Sequence, residues 1–183
     1  RRLAASVRGT RSRSDHVTPD DEADPEQVAR TVVLRRLSSA PRTRKDLAED
    51  LGRRGIPSDV IDRVLDRFTE VGLIDDAEYA RLWVSSRHRS RGTARQSLRH
   101  ELRAKGITDD DALEALEAID DDLERARGLA LVRSKLPSTS RLEPAARARR
   151  LVSMLMRRGY RQAEAVSIVK EAVAELDETL SGA

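Results

Sequence analysis

The chain has 183 residues, of which 35 are Lys or Arg and 32 are Asp or Glu. Charged residues reach 37 %, against about 25 % in an ordinary soluble domain, and Leu, Ile, Val and Phe together number only 42. Any core is therefore thin and aliphatic, since Phe68, Tyr79, Trp83 and Tyr160 are the four aromatic residues. The absence of cysteine excludes a disulfide framework, a thiolate zinc site and a Cys nucleophile. The longest apolar run, Leu129-Ala130-Leu131-Val132, is far too short for a membrane span or a signal-peptide core. A soluble, cytoplasmic protein of a reducing compartment is expected. The first residue is Arg1 rather than Met, as a trimmed start would leave it.

The net charge of +3 hides strong segregation. Residues 1–14 carry five Arg and no acid, and residues 15–26 carry six acids and no base. Residues 81–105 hold eight bases and one acid, residues 109–124 nine acids and no base, and residues 125–161 eleven bases and one acid. Such blocks serve as solvated faces or meet partners with strong fields, of which an anionic polymer suits the basic ones.

In chain order, residues 1–24 read as a disordered charged arm, rich in Arg, Ser and Asp and without apolar periodicity. From Pro25 the chain reads as helix nearly everywhere, punctuated at Pro41, Gly55, Gly72, Gly92, Gly106, Pro137 and Gly159. An internal repeat emerges when the chain is aligned on Gly55, Gly106 and Gly159. Four residues before each glycine stands Leu51, Leu102 or Leu155, and eight before stands Leu47, Leu98 or Leu151. A base (Arg54, Lys105, Arg158) precedes each glycine directly, and Ile56, Ile107 or Tyr160 follows it. Six and ten residues further on come Ile61, Ala112, Ala165 and Leu65, Leu116, Val169. Ile74-Asp75-Asp76 recurs as Ile119-Asp120-Asp121, and Thr43-x-x-Asp46 is echoed by Thr93-x-x-Gln96.

Each unit makes physical sense. Leu at i and i+4 gives a helix an apolar stripe, a base suits its negative end, and Gly takes the left-handed position that terminates it. The next helix starts near Ser58, Thr108 or Arg161, with Ser58 and Thr108 as expected caps. The fold class that follows is all-α, an elongated tandem array of three three-helix repeats, about nine helices. The expected spans are 26–38, 43–54, 58–71, 76–89, 93–105, 109–118, 120–135, 144–158 and 161–178. The domains that follow are the arm 1–24 and repeats 25–72, 73–118 and 119–180. One unit of about 50 residues buries little surface, so stacking in tandem is the natural remedy.

No catalytic constellation is present, and neither enzyme activity, a cofactor nor a metal is expected. His16 lies in the arm, and His88 and His100 fall on different helices without a His partner at i+4. There is no G-x-x-x-x-G-K-[ST] loop and no G-x-G-x-x-G. Asp75-Asp76 and Asp120-Asp121-Asp122 open helices, where carboxylates cap amides more readily than they bind metal.

The basic helices are the sharper signal. Arg91, Arg95, Arg99 and Arg103 recur every four residues beside the Leu98/Leu102 stripe, with only Glu101 opposed on the same helix, and Arg87 and Arg89 precede them. Arg147, Arg149, Arg150, Arg157, Arg158 and Arg161 form a second cluster. A solvated face and an anion-binding face are both open readings, and guanidinium suits phosphate and carboxylate alike. Tyr79, Trp83 and Arg87 share a helix face. Trp83 could stack on a base, but Ala80 and Val84 extend the same stripe and favour packing.

At this point the residues resemble a known family. Gly72-Leu73-Ile74-Asp75-Asp76-Ala77-Glu78-Tyr79-Ala80 followed by Trp83-Val84 is similar to the signature opening the second repeat of the RecX family. Glu101-Leu102-Arg103-Ala104-Lys105-Gly106-Ile107 is similar to its E-L-x-x-K-G-I element, and Leu47-x-x-x-Leu51-x-x-Arg54-Gly55-Ile56 with Ile61-x-x-Val64-Leu65 fits its first repeat. The likeness spans about residues 27–178, and the third repeat departs most, with a Pro/Ser break and Tyr160 in place of Ile. Asp75, Asp76, Tyr79, Trp83, Gly55, Gly106 and Gly159 form the structural signature. The resemblance implies a modulator of the RecA recombinase that lies in the groove of the RecA–single-stranded DNA filament. It implies inhibition of strand exchange, ATP hydrolysis and co-protease activity, in a setting of DNA repair and the SOS response.

The partners expected are thus the RecA filament and single-stranded DNA, with double-stranded DNA a second candidate. No membrane and no small-molecule substrate are expected. The contacts are expected at Arg87, Arg89, Arg91, Arg95, Arg99, Arg103, Arg147, Arg150, Arg157 and Arg161, with the acidic block Asp109 to Glu124 facing basic protein surfaces. The alternative is a helix-turn-helix DNA-binding regulator, which Arg54-Gly55-Ile56-Pro57 between two helices permits. A helical scaffold without a DNA role is a third.

Overall fold

The computed structural model describes residues 24–181. The arm expected at the N-terminus lies, but for Asp24, outside the described residues. Among those described there are nine α-helices and no strand. They are α1 (Pro25–Ser39), α2 (Arg44–Gly52), α3 (Ser58–Glu70), α4 (Asp76–Arg91), α5 (Arg95–Ala104), α6 (Asp109–Leu116), α7 (Asp121–Lys135), α8 (Pro144–Met156) and α9 (Gln162–Ser181), with a 3₁₀ turn at Pro137–Thr139.

The first helix of every repeat starts the same way. Asp24, Asp75 and Asp120 are the N-caps of α1, α4 and α7, and their carboxylates accept from the amides of Glu26, Glu78 and Leu123 at 3.0, 2.7 and 2.7 Å. These aspartates satisfy orphan amides at the positive helix end. Thr43 and Thr108 cap α2 and α6 through the amides of Asp46 and Asp111, each at 3.1 Å. One cap expectation needs correction. Ser58 is the first residue of α3, whose N-cap, Pro57, makes no side-chain bond. Thr93 lies one residue before Ala94, the N-cap of α5, so the echo of Thr43 is displaced by one position.

The middle helix of every repeat ends the same way too. Gly55, Gly106 and Gly159 have φ of 78°, 81° and 93°. The residue after each glycine donates back to the leucine four before that glycine: Ile56 to Leu51, Ile107 to Leu102 and Tyr160 to Leu155, at 3.3, 3.1 and 3.3 Å. This is the Schellman closure, and it needs a residue that tolerates positive φ.

The leucine pairs are all buried, and each sits in a different core. Leu47 and Leu51 pack with Ala29, Val33, Leu65 and Phe68; Leu98 and Leu102 with Ala80, Val84, Ile107 and Leu116; Leu151 and Leu155 with Val132, Tyr160, Ile168 and Val169. The extensive helix–helix packing falls within α1–α3, within α4–α6 and within α7–α9. Three small cores in tandem make a quasi-one-dimensional molecule whose behaviour depends on the joints between units.

Both joints follow one plan. At the first, the amide of Arg44, the first residue of α2, donates to Oδ1 of Asp76 at 2.9 Å. At the second, the amide of Arg95, the first residue of α5, donates to Oε1 of Glu124 at 2.5 Å. The turn glycine of the later repeat also rests on the middle helix of the earlier one. A Cβ on Gly106 would lie 2.7 Å from Cβ of Lys45, and one on Gly159 would lie 2.5 Å from Cβ of Ser97.

The first joint is otherwise held by long polar side chains: Lys105 Nζ on Asp46 Oδ2 and Lys45 Nζ on the Ala104 carbonyl, both at 2.9 Å. The second adds backbone and buried groups. Ala94 N–H donates to the Arg158 carbonyl at 2.8 Å and Ala94 itself belongs to the third core, while within the third repeat Tyr160 O–H donates to the carbonyl of the capping residue Glu124 at 3.2 Å.

Candidate functional site

The arginines expected to form one face divide into two populations. Arg103 donates from Nε and Nη2 to the two carboxylate oxygens of Asp109 at 2.8 and 3.1 Å. Its guanidinium holds the Asp109 carboxyl below the usual carboxylate range. Arg99 is 3.9 Å from the same carboxylate, and Arg95 pairs with Asp121 and with the buried Glu124. Arg87 lies over the Trp83 ring at 4.2 Å and is 3.7 Å from Glu101. The acidic block Asp109 to Glu124 thus folds back on the basic row of its own chain, a pairing across helices that spacing along α5 does not reveal.

Trp83 is also engaged. Its ring stacks on Tyr79 at 5.7 Å, its Nε1–H donates to Glu101 at 2.8 Å, and Arg87 and Lys105 lie over its ring. It packs against the second core, which fits packing rather than base stacking. Tyr160 is buried, and that burial pushes its phenol well above its ordinary value.

The second population faces no carboxylate within ion-pair distance among the described residues. Arg89 and Arg91 at the end of α4 are exposed, as are Arg150 of α8 and Arg157 at its C-cap. At the second joint two further guanidiniums come up to the end of α4. Arg158 Nε donates to the Arg91 carbonyl at 3.0 Å, and Arg127 Nη2 to the Arg89 carbonyl at 2.5 Å. Backbone carbonyls position these guanidiniums without neutralising them, so Arg127 and Arg158 join Arg89 and Arg91 in one cationic surface across two repeats, with exposed Arg157 the chain neighbour of Arg158.

Arg147 is half-buried, with Nη2 3.5 Å from the Leu136 carbonyl. Arg161 lines a cleft with Asp121, Asp122, Glu124 and Glu164, where it faces acids rather than the patch. Arg127 is the residue that sequence reasoning missed. Its one signal was its place in the basic run 125–161, because the helix register alone does not show that α7 lies beside α4.

His88 is buried in α4 with Nδ1 3.1 Å from the Thr93 carbonyl. Among the described residues no group of three or more His, Cys, Asp or Glu could hold a metal ion, and no helix is long and apolar enough to cross a membrane.

The architecture defines a tandem three-helix-repeat protein with a cationic joint between its second and third units. The family models for the first and second three-helix domains of RecX match residues 29–68 and 75–116. The regulatory protein RecX of Mycobacterium marinum is 47 % identical over 163 residues, covering 87 % of this chain and 94 % of that protein. The regulatory protein RecX of Thermobifida fusca is 45 % identical over 156 residues, 84 % of each chain. The crystal structure of RecX from Lactobacillus salivarius aligns with a TM-score of 0.73 at 24 % identity, covering 83 % of this chain and 99 % of that one. The chain belongs to the RecX family of regulatory proteins.

Proposed function

We propose that this chain is a negative regulator of the RecA recombinase, not an enzyme, and that it acts in the cytoplasm. It binds in the groove of the RecA–single-stranded DNA filament and inhibits strand exchange, ATP hydrolysis and co-protease activity. Family membership supports the partner. The observation that carries the contact assignment is the patch of Arg89, Arg91, Arg127 and Arg158, together with exposed Arg150 and Arg157 of the α8 segment, without a carboxylate partner among the described residues. Guanidinium groups left free in this way suit phosphates and carboxylates of a filament. The first repeat, residues 25–72, and the two that follow, 73–118 and 119–180, act as separate bodies laid along the filament.

The paired arginines have a different part. Arg95, Arg99 and Arg103 serve the fold, while Arg89, Arg91, Arg150 and Arg157 serve binding. The test is RecA ATPase on single-stranded DNA, titrated with this protein below the RecA concentration. Loss of ATPase at substoichiometric ratios is expected. Arg150→Glu with Arg157→Glu should weaken inhibition and flatten its salt dependence, by roughly 0.7 in log–log slope for each phosphate no longer neutralised. Full inhibition by that double variant would remove the patch from the binding surface. No inhibition by the folded parent chain at equimolar ratio would remove the proposed activity.

A further inference from the structure

Beside the cationic patch a groove of about 690 Å³ runs between α4, α6 and α7. Its lining is largely small or apolar: Ala115, Ala118 and Ile119 from α6 and the turn after it, and Leu123, Ala126 and Ala130 from α7. Small residues on both walls leave room for a large side chain, and Leu123 is exposed at the edge. Open apolar surface of this kind marks an interaction site more often than plain surface.

Two buried polar atoms belong to residues lining this groove. His88 is 7 % exposed, and its Nδ1 faces the Thr93 carbonyl, a pure acceptor, so Nδ1 carries the proton. Its Nε2 is then a lone pair with no partner among the described residues, and Arg127 Nε is a donor in the same condition. Buried polar atoms are ordinarily partnered. The groove wall thus carries polar as well as apolar groups, a mixture that suits a peptide with its amides and side chains.

Charge selects the kind of peptide. Arg81 at the rim is engaged by Glu78 and Glu114, whereas Arg89 and Arg127 face no carboxylate among the described residues. No aromatic residue lines the groove, so bases have nothing to stack on. We propose that this groove docks a protein segment bearing a large apolar side chain beside a carboxylate. The apolar group seats between α6 and α7, and the carboxylate meets Arg89 and Arg127. The inference rests on the filament-regulator reading only for which protein supplies the segment.

The probe is a fluorescein-labelled peptide of about 14 residues, roughly four helical turns, with Leu on one face and Glu beside it. Its counterpart carries Lys for Glu. Binding to the full chain is read by fluorescence anisotropy, without recombinase, so the groove and the filament reading can fail separately. The Glu peptide binds and the Lys peptide does not. Ala126→Trp, which fills the groove, weakens binding by at least about tenfold. Arg89→Glu does the same through charge and keeps the proposal falsifiable should the Trp variant melt early. The proposal is overturned by failure of the Glu peptide to bind, by equal binding of the Lys peptide, or by undiminished binding to a folded Ala126→Trp or Arg89→Glu chain. Displacement of the Glu peptide by equimolar oligo(dT) would also overturn it, since the groove would then belong to a nucleic-acid surface.

Discussion

The first amide of α5, that of Arg95, is capped by Oε1 of Glu124, a side chain 29 residues further along and in the next repeat. Asp76 does the same for Arg44 across the first joint, 32 residues apart. Each repeat therefore completes a helix of the one before it. Docking and helix capping are thus coupled at both joints.

Removing that cap has a defined effect. Glu124→Ala leaves the Arg95 amide unpaired and strips Arg95 of a buried counter-charge, which costs about 1–2 kcal/mol. For a chain of this size that lowers Tm by roughly 2–4 °C per kcal/mol. Asp122→Ala, exposed and without a bond among the described residues, should stay within about 0.5 kcal/mol. Equal melting of the two variants by circular dichroism would contradict the inter-repeat cap.

The turn glycines separate backbone strain from joint packing. Gly55 has φ of 78° with nothing within 4 Å of an added Cβ, so Gly55→Ala costs about 1–2 kcal/mol for the left-handed conformation alone. Gly159→Ala meets the same strain and also Cβ and backbone N of Ser97 at 2.5 and 2.9 Å. It should lower stability more than Gly55→Ala and expand the chain in small-angle scattering, whereas Gly55→Ala should leave the scattering profile unchanged.

The two joints should answer differently to salt. At the first joint Lys105–Asp46 is a partly exposed ion pair and Lys45–Ala104 O an exposed ammonium–carbonyl hydrogen bond, and the Debye length falls to about 3 Å at 1 M salt. The Ala94–Arg158 backbone bond at the second joint is screened far less. Lys105 Nζ lies 5.3 Å from the ring of Trp83, the single Trp, whose emission thus reports on the first joint. Salt of about 1 M, or Lys105→Ala at low salt, should shift Trp83 emission while leaving hydrogen exchange at Ala94 protected. Parallel loss of protection at Ala94 would show that the joints open together.

Two aspartates give opposite pH signatures. The hydrogen bond from Arg36 to Asp50, 2.7 Å, holds that carboxyl below its ordinary value, and so its stabilisation is present above about pH 4 and lost as pH falls. Burial pushes the Asp76 carboxyl up, so its contribution is present at low pH and lost as pH rises through its folded value. Urea unfolding at pH 7 and pH 3 should therefore show Asp50→Asn destabilising chiefly at pH 7. Asp76→Asn, which keeps an acceptor for the Arg44 amide, should be relatively more stable at pH 7 than at pH 3. The same pH trend in both variants would refute these assignments.

Much of the fold was legible in the residues. The glycine-aligned repeat placed every middle helix, because Leu at i and i+4, a terminal base and a left-handed Gly are local requirements. Asp75 and Asp120 were readable as caps for the same reason. Ser58 misled because either of two adjacent residues can open a helix, and packing makes the choice. The pairing of the charges was legible only in part. Arg89, Arg91, Arg150 and Arg157 are exposed without carboxylate partners among the described residues, but Arg95 and Arg103 are neutralised by Glu124, Asp121 and Asp109.

The helices, their ends and the leucine pair at the centre of each core were written in local residue order, since each depends on neighbours within about a dozen positions. Which arginines remain free, that Arg127 joins Arg89 and that Glu124 caps α5 came from the packed repeats alone. Those outcomes rest on which helix faces lie together across a joint, and a charge's partner there is set by distance in space, not along the chain.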